Sequence, residues 1–123
     1  MAKKILIIED EKILRELLSA KLLREGYDVE TAKDGAEGLR VTQEVRPDLV
    51  LLDIFMPKLS GFEVLEILRN DVQLRNITVI VISNSGQPSE LEQAKDLGAI
   101  DVLIKTAFDP QEVIDKIARQ IGR

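Results

Sequence analysis

The sequence contains no cysteine, which removes disulfides, thiolate chemistry and cysteine-ligated zinc together. Histidine is absent as well, so imidazole catalysis is excluded. No long apolar run opens the chain: Ile5 to Ile8 leads directly into Glu9, Asp10 and Glu11, which is too short for a signal peptide or a membrane span. A soluble cytoplasmic protein without a membrane partner is expected. Positive charge is in the minority, with 17 Lys and Arg against 22 Asp and Glu, a formal net charge of −5 and a pI near 4.8. Phosphate backbones are held by clustered Lys and Arg, so direct binding to nucleic acid is not expected. Internal repeats, low-complexity tracts and Gly/Ser-rich linkers are missing too. Carboxylates, hydroxyls and lysines are what remain for chemistry.

With 123 residues, 45 % of them apolar, the chain suits one domain, residues 1–123, with one buried core. Ile5 to Ile8, inside the segment Lys3 to Glu9, is short and rich in β-branched residues, as a strand buried on both faces requires. Four further strand segments follow: Asp28 to Thr31, Leu49 to Asp53, Thr78 to Ser83 and Asp101 to Ile104, with stretches of helical period between them. Four of the helical stretches begin with a side-chain oxygen three residues before a glutamate: Asp34 with Glu37, Ser60 with Glu63, Ser89 with Glu92, and Asp109 with Glu112. Pro110 fits the first position of the last helix. The first helix is expected to bury Ile13, Leu14, Leu17 and Leu18 and to stop at Gly26. The last should bury Val113, Ile114, Ile117 and Ile121. Fivefold βα alternation predicts an α/β fold, a doubly wound parallel sheet of five strands with helices on both faces.

In such a sheet, chemistry collects beyond the carboxyl ends of the strands. The first strand ends in Glu9 and Asp10, the third in Asp53, the fourth in Ser83 and the fifth in Lys105. Singly, each has an ordinary structural role: Glu9 and Asp10 could start a helix, Asp53 could cap the loop before Pro57, Ser83 could cap a turn, and Lys105 could be a solvated charge. Together they form a chemical set. Carboxylates about 5 Å apart repel by roughly 3 kcal/mol per pair at an effective dielectric near 20, so a counter-charge is required. Oxygen-only ligands favour a hard divalent ion such as Mg²⁺. A carboxylate could then attack phosphorus while a lysine and a hydroxyl hold phosphoryl oxygens.

These features, with the segment LVLLDIFMPKLSGFEVL from Leu49 to Leu65, resemble a response-regulator receiver domain of two-component signalling over essentially the whole chain. The resemblance implies the flavodoxin-like strand order 2-1-3-4-5, which is carried over from that family, and five helices. It implies Asp53 as phospho-acceptor, with Glu9, Asp10, Asp53 and the Phe55 backbone carbonyl around Mg²⁺. Ser83 would bind the phosphoryl group and Lys105 would pair with it. The donor would be a phosphohistidine on a sensor histidine kinase or phosphotransfer protein, a role this histidine-free chain cannot fill. A downstream protein would bind the face formed by the fourth helix, fifth strand and fifth helix. On phosphorylation, Ser83 and the loop Asn84 to Pro88 would move and alter that face. The domain would signal rather than act as an enzyme on an independent substrate.

Three positions depart from the family pattern. Thr106 follows Lys105 where proline is usual, so a trans bond and a different following loop are expected. Val102 occupies the place of an aromatic ring that usually reads out activation. Phe55, two residues after the acceptor, is bulky where the family tunes hydrolysis. Two other readings share the fold. One is a receiver-fold binding module that works without phosphorylation. The other is a phosphatase with an aspartyl nucleophile, disfavoured because Phe55 stands where a second Asp is usual. A flavin module is disfavoured by the acids after the first strand. The last helix is expected to end within a few residues of Arg123, leaving no output domain in this sequence and suiting either a stand-alone receiver or a piece of a longer regulator or hybrid kinase.

Overall fold

The computed structural model describes residues 2–106 and 109–123. Ten elements alternate: β1 (Lys4–Ile8), α1 (Lys12–Arg24), β2 (Asp28–Ala32), α2 (Gly35–Val45), β3 (Leu49–Asp53), α3 (Gly61–Asn70), β4 (Thr78–Ser83), α4 (Pro88–Asp96), β5 (Asp101–Ile104) and α5 (Pro110–Ile121). The strands pair in parallel in the order β2-β1-β3-β4-β5, as the family resemblance implied. Among the described residues, no helix is long and apolar enough to cross a membrane.

Strand alternation divides the core in two. Leu6, Ile8, Val50, Leu52, Val79 and Val81 point to the side covered by α2, α3 and α4, where Val41, Val64, Leu65, Leu68 and Ala94 meet them. Ile5, Ile7, Leu49, Leu51, Ile80 and Ile82 face the other side, against Leu18 and Leu22 of α1 and Val113, Ile114 and Ile117 of α5. Fully burying one such side chain stabilises by about 1.5–3 kcal/mol, and both faces of the central strands contribute. This explains why β1 and β3 read as unbroken apolar runs whereas the edge strand β2 is largely exposed.

Helix starts follow the expected caps at three places. Asp34 accepts from the Glu37 N–H at 2.8 Å, Asp109 from the Glu112 N–H at 2.9 Å, and Ser60 forms a full capping box with Glu63. The fourth expectation is corrected: α4 begins at Pro88 with Gln87 as its cap residue, and Ser89 lies inside the helix. Proline has its φ preset for the first helical position, so it sets the start ahead of the serine. The first helix also needs correction. Leu18 and Leu22 are buried and Leu14 partly so, whereas Ile13 and Leu17 are 83 % and 54 % exposed. Residues 14, 18 and 22 share the face toward the sheet, and 13 and 17 lie on its flank. The chain leaves α1 through Gly26 at φ 94°, close to the expected stop.

Two long-range contacts fasten the ends of elements. The Tyr27 hydroxyl donates to the Gly122 carbonyl at 2.8 Å, joining the start of β2 to the end of α5. The Arg69 guanidinium donates to the carbonyls of Leu97, Gly98, Arg75 and Ile77 at 2.6–3.1 Å, fixing the turn from α4 into β5. Gly61 opens α3 in contact with the strand before it: a Cβ there would lie 2.2 Å from the Asp53 carbonyl oxygen and 2.6 Å from the Ile54 Cα. Because backbone must move to admit it, Gly61→Ala should cost about 1–3 kcal/mol in denaturant unfolding. An unchanged midpoint would contradict this close approach. Tyr27→Phe should cost about 0.5–1.5 kcal/mol by the same measurement, and no loss would show that the hydroxyl contributes nothing there.

Candidate functional site

Register brings the strand ends together. Ile8 pairs with Leu52, which puts Glu9 beside Asp53; Asp53 pairs with Ile82, which puts Ser83 one step beyond; Ser83 pairs with Ile104, which puts Lys105 next. The Lys105 N–H donates to the Ser83 carbonyl at 2.8 Å and the Ile54 N–H to the Ile82 carbonyl at 3.0 Å, continuing the ladder into the rim. Side chains that lie as far as 96 residues apart in sequence thereby meet at one edge.

The meeting is electrostatic. Lys105 Nζ lies 3.2 Å from Asp53 Oδ2, 3.2 Å from Glu9 Oε1 and 3.1 Å from Glu11 Oε2. Asp53 and Glu9 are buried with 0 % exposure, whereas Asp10 is exposed. Carboxylate oxygens of Glu9, Asp10 and Asp53 all lie within 4.8 Å of one another. Asp53 Oδ1 accepts from the Phe55 N–H at 3.1 Å, and Glu9 Oε2 from the Glu11 N–H at 3.0 Å. Three carboxylates thus share one ammonium, and Asp10 adjoins two of them. Burial, hydrogen bonding and charge from Glu9, and then Asp10, push the Asp53 pKa up to about 8 against the opposing pull of Lys105. Burial works against the charge on Lys105, but Asp53, Glu11 and Glu9 outweigh it and raise its pKa.

Glu9 Oε1 is buried and, although within ion-pair distance of Lys105, makes no hydrogen bond. A buried carboxylate oxygen without a hydrogen-bond donor, next to two further carboxylates, fits a hard divalent cation in charge and ligand chemistry. The donor set is oxygen only, which matches Mg²⁺ better than softer metals.

Each residue singled out in the sequence lies on this rim, but not all of them touch. Glu9, Asp53 and Lys105 form direct contacts and Asp10 completes the acidic group. The Phe55 backbone adjoins Asp53, while the residue itself is 44 % exposed. Ser83 is buried, and its hydroxyl is engaged with partners other than Asp53: it donates to Glu90 Oε1 at 3.0 Å and accepts from the Gly86 N–H at 3.1 Å. No cis peptide occurs among the described residues, so Lys105–Thr106 is trans as expected. The expected change in the rest of that loop falls on Ala107 and Phe108, outside the described residues. Val102 is half-buried and packs against the core face formed with Val79, Val81 and Ala94.

Sequence reasoning missed three contributors. Glu11 was visible only as a further acid, yet it shares Lys105. Arg15 donates to the Glu9 and Asp10 carbonyls at 2.8 and 3.4 Å and so holds the loop that carries both acids; its spacing from them on α1 was the available signal. Glu90 reaches Ser83 from the next helix, a contact for which no local pattern exists.

Comparison with known proteins gives the family and the fold. The family model described as response regulator receiver domain matches residues 5–118. The chain is 37 % identical to the DNA-binding dual master transcriptional regulator RpaA of Synechocystis over 98 % of its own length and 49 % of that protein. It is 39 % identical to the alkaline phosphatase synthesis transcriptional regulatory protein PhoP of Bacillus subtilis, over 100 % of this chain and 50 % of the relative. Among solved structures, the chemotaxis protein CheY4 of Vibrio cholerae superposes with a TM-score of 0.92 at 30 % identity, covering 98 % of this chain and 100 % of that one. The chain therefore spans about half the length of these transcriptional regulators and the whole of the chemotaxis protein.

The relatives correct one expectation. Exclusion of nucleic acid from the partners rested on the acidic charge, but the regulators RpaA and MtrA are DNA-binding proteins by name. Net charge constrains only the stretch that bears it, and those proteins are about twice as long as the part matched here. By family match, strand order and fold, the chain belongs to the response regulator receiver domains of two-component signalling.

Proposed function

We propose that this domain accepts a phosphoryl group on Asp53 from a phosphohistidine of a separate kinase or phosphotransfer protein, and that the resulting acyl phosphate changes the surface formed by α4, β5 and α5. The observation that carries the reading is the buried Asp53 carboxylate, held 3.2 Å from Lys105 Nζ and beside Glu9 and Asp10. Its Oδ oxygen attacks phosphorus, the P–N bond to the donor imidazole breaks, and that electron pair stays on the imidazole nitrogen. Lys105, 3.2 Å from Asp53 Oδ2, binds an equatorial phosphoryl oxygen in this reading. Ser83 donates a hydrogen bond to another once it leaves Glu90. Mg²⁺ held by Glu9, Asp10, Asp53 and the Phe55 carbonyl would supply the positive charge that keeps these carboxylates ionised and offsets the incoming phosphoryl group.

The domain acts in this reading as a signalling unit in the cytoplasm, and its chemistry is limited to gaining and losing its own phosphoryl group. Transcriptional regulation is named for relatives of about twice this length, so only the receiver step is carried over.

Incubation with acetyl phosphate should add one phosphoryl group to the intact mass when Mg²⁺ is present and none after chelation. Asp53→Asn should abolish the gain, and Lys105→Ala should slow it by about a hundredfold. Undiminished uptake by Asp53→Asn would refute the assignment.

Protonation gives a second test. Without Mg²⁺, the folded state raises the Asp53 pKa from 3.8 to about 8, so it binds the proton more tightly than the unfolded chain does. Stability contributed by that proton is present at low pH and is lost as pH rises toward the folded value. Asp53→Asn should therefore gain on the wild type between pH 4 and pH 8, ending about 1–4 kcal/mol more stable in urea unfolding. A gap that stays constant across this range would contradict the account.

A further inference from the structure

We infer that Glu90 is a positioning residue that holds the Ser83 hydroxyl away from Asp53 until phosphorylation, and so ties the start of α4 to the state of the acceptor. The inference rests on the proposed acceptor role of Asp53. Glu90 is the third residue of α4, where a glutamate in a capping box would turn back to the residue that caps its own helix. Gln87 caps α4 without a side-chain hydrogen bond, and Glu90 Oε1 instead accepts from Ser83 Oγ at 3.0 Å and Ser85 Oγ at 3.3 Å. The loop is shaped to present those hydroxyls. Gly86 takes φ 67°, a Cβ there would meet the Ile104 side chain at 2.6 Å, and its N–H donates to Ser83 Oγ at 3.1 Å.

A serine hydroxyl carries one proton, so Ser83 can donate to Glu90 or to a phosphoryl oxygen but not to both. Both acceptors are anionic, and charge-assisted hydrogen bonds to either are strong, so the exchange replaces one good partner with another. Phosphorylation also adds negative charge at the rim while the Glu90 carboxylate loses a donor.

The consequence for α4 follows from how little else holds it. Ala94 is its one fully buried residue. Beyond its far end, Arg69 clasps the Leu97 and Gly98 carbonyls at 3.1 and 2.9 Å. Its near end is tied to β4 through Glu90. Exchange of the Ser83 hydrogen bond from Glu90 to the phosphoryl group therefore releases the first turn of α4 while the turn into β5 stays fixed.

Amide hydrogen exchange over residues 89–94 tests this with and without acetyl phosphate and Mg²⁺. Glu90→Ala should speed exchange about tenfold in the unphosphorylated protein, as loss of a charge-assisted hydrogen bond requires, and leave the phosphorylated protein unchanged. Glu90→Gln keeps an acceptor of the same reach without the charge and should give a smaller acceleration in the same state. In a Ser83→Ala background, Glu90→Ala should add much less. Equal acceleration in both states would mark Glu90 as a structural residue only and overturn the inference, as would no acceleration in the unphosphorylated state. Wild-type protein that gains no phosphoryl mass would overturn the acceptor reading and this inference with it. Normal uptake with unaltered exchange in Glu90→Ala would overturn the inference alone.

Discussion

Lys105 Nζ stands 3.1–3.3 Å from carboxylate oxygens of Glu9, Glu11 and Asp53, and no other ion pair among the described residues reaches into this acidic group. Burying two of those carboxylates is unfavourable without compensation, and one ammonium offsets only part of the repulsion. The rest of the fold can be understood as what keeps the charges there. Strands β1 and β3, buried on both faces, give their ends a rigid register; Arg15 fixes the loop bearing Glu9 and Asp10; Gly61 lets α3 press against the Asp53 carbonyl. Functional sites commonly carry such local cost, which the surrounding core must cover.

The rim was legible because the central strands are continuous apolar runs in which polarity returns at a definite residue. Glu9 follows Ile8, Asp53 follows Leu52, Ser83 follows Ile82, and each transition marks a carboxyl end of the sheet. Parallel pairing then puts those ends side by side without further information. The strand order itself came from resemblance, since alternation alone permits other windings.

Features that depend on a contact between elements were not legible. Ile13 and Leu17 have the spacing of core residues, but the apolar stripe of α1 is wider than the face that meets the sheet, and only packing decides which part is covered. Ser89 matched a capping pattern, yet Pro88 immediately before it had the stronger geometric claim on the helix start. Glu90 satisfies hydroxyls on the preceding loop, and Arg69 satisfies carbonyls from two separate turns. In each case the partner lies outside any window that periodicity examines. The expectation about nucleic acid failed for a different reason, because it extended the charge of one segment to everything to which related segments are joined.

The account centres on covalent chemistry at one carboxylate, and borohydride trapping reaches it most directly. Hydride reduces an acyl phosphate to an alcohol, leaving a permanent mark on the residue that carried it. After treatment with acetyl phosphate, Mg²⁺ and then borohydride, peptide mass mapping should find the reduced side chain at position 53 and at no other carboxylate. A mark at Asp10 or Glu11 instead, or none after conditions that phosphorylate the protein, would contradict the central claim.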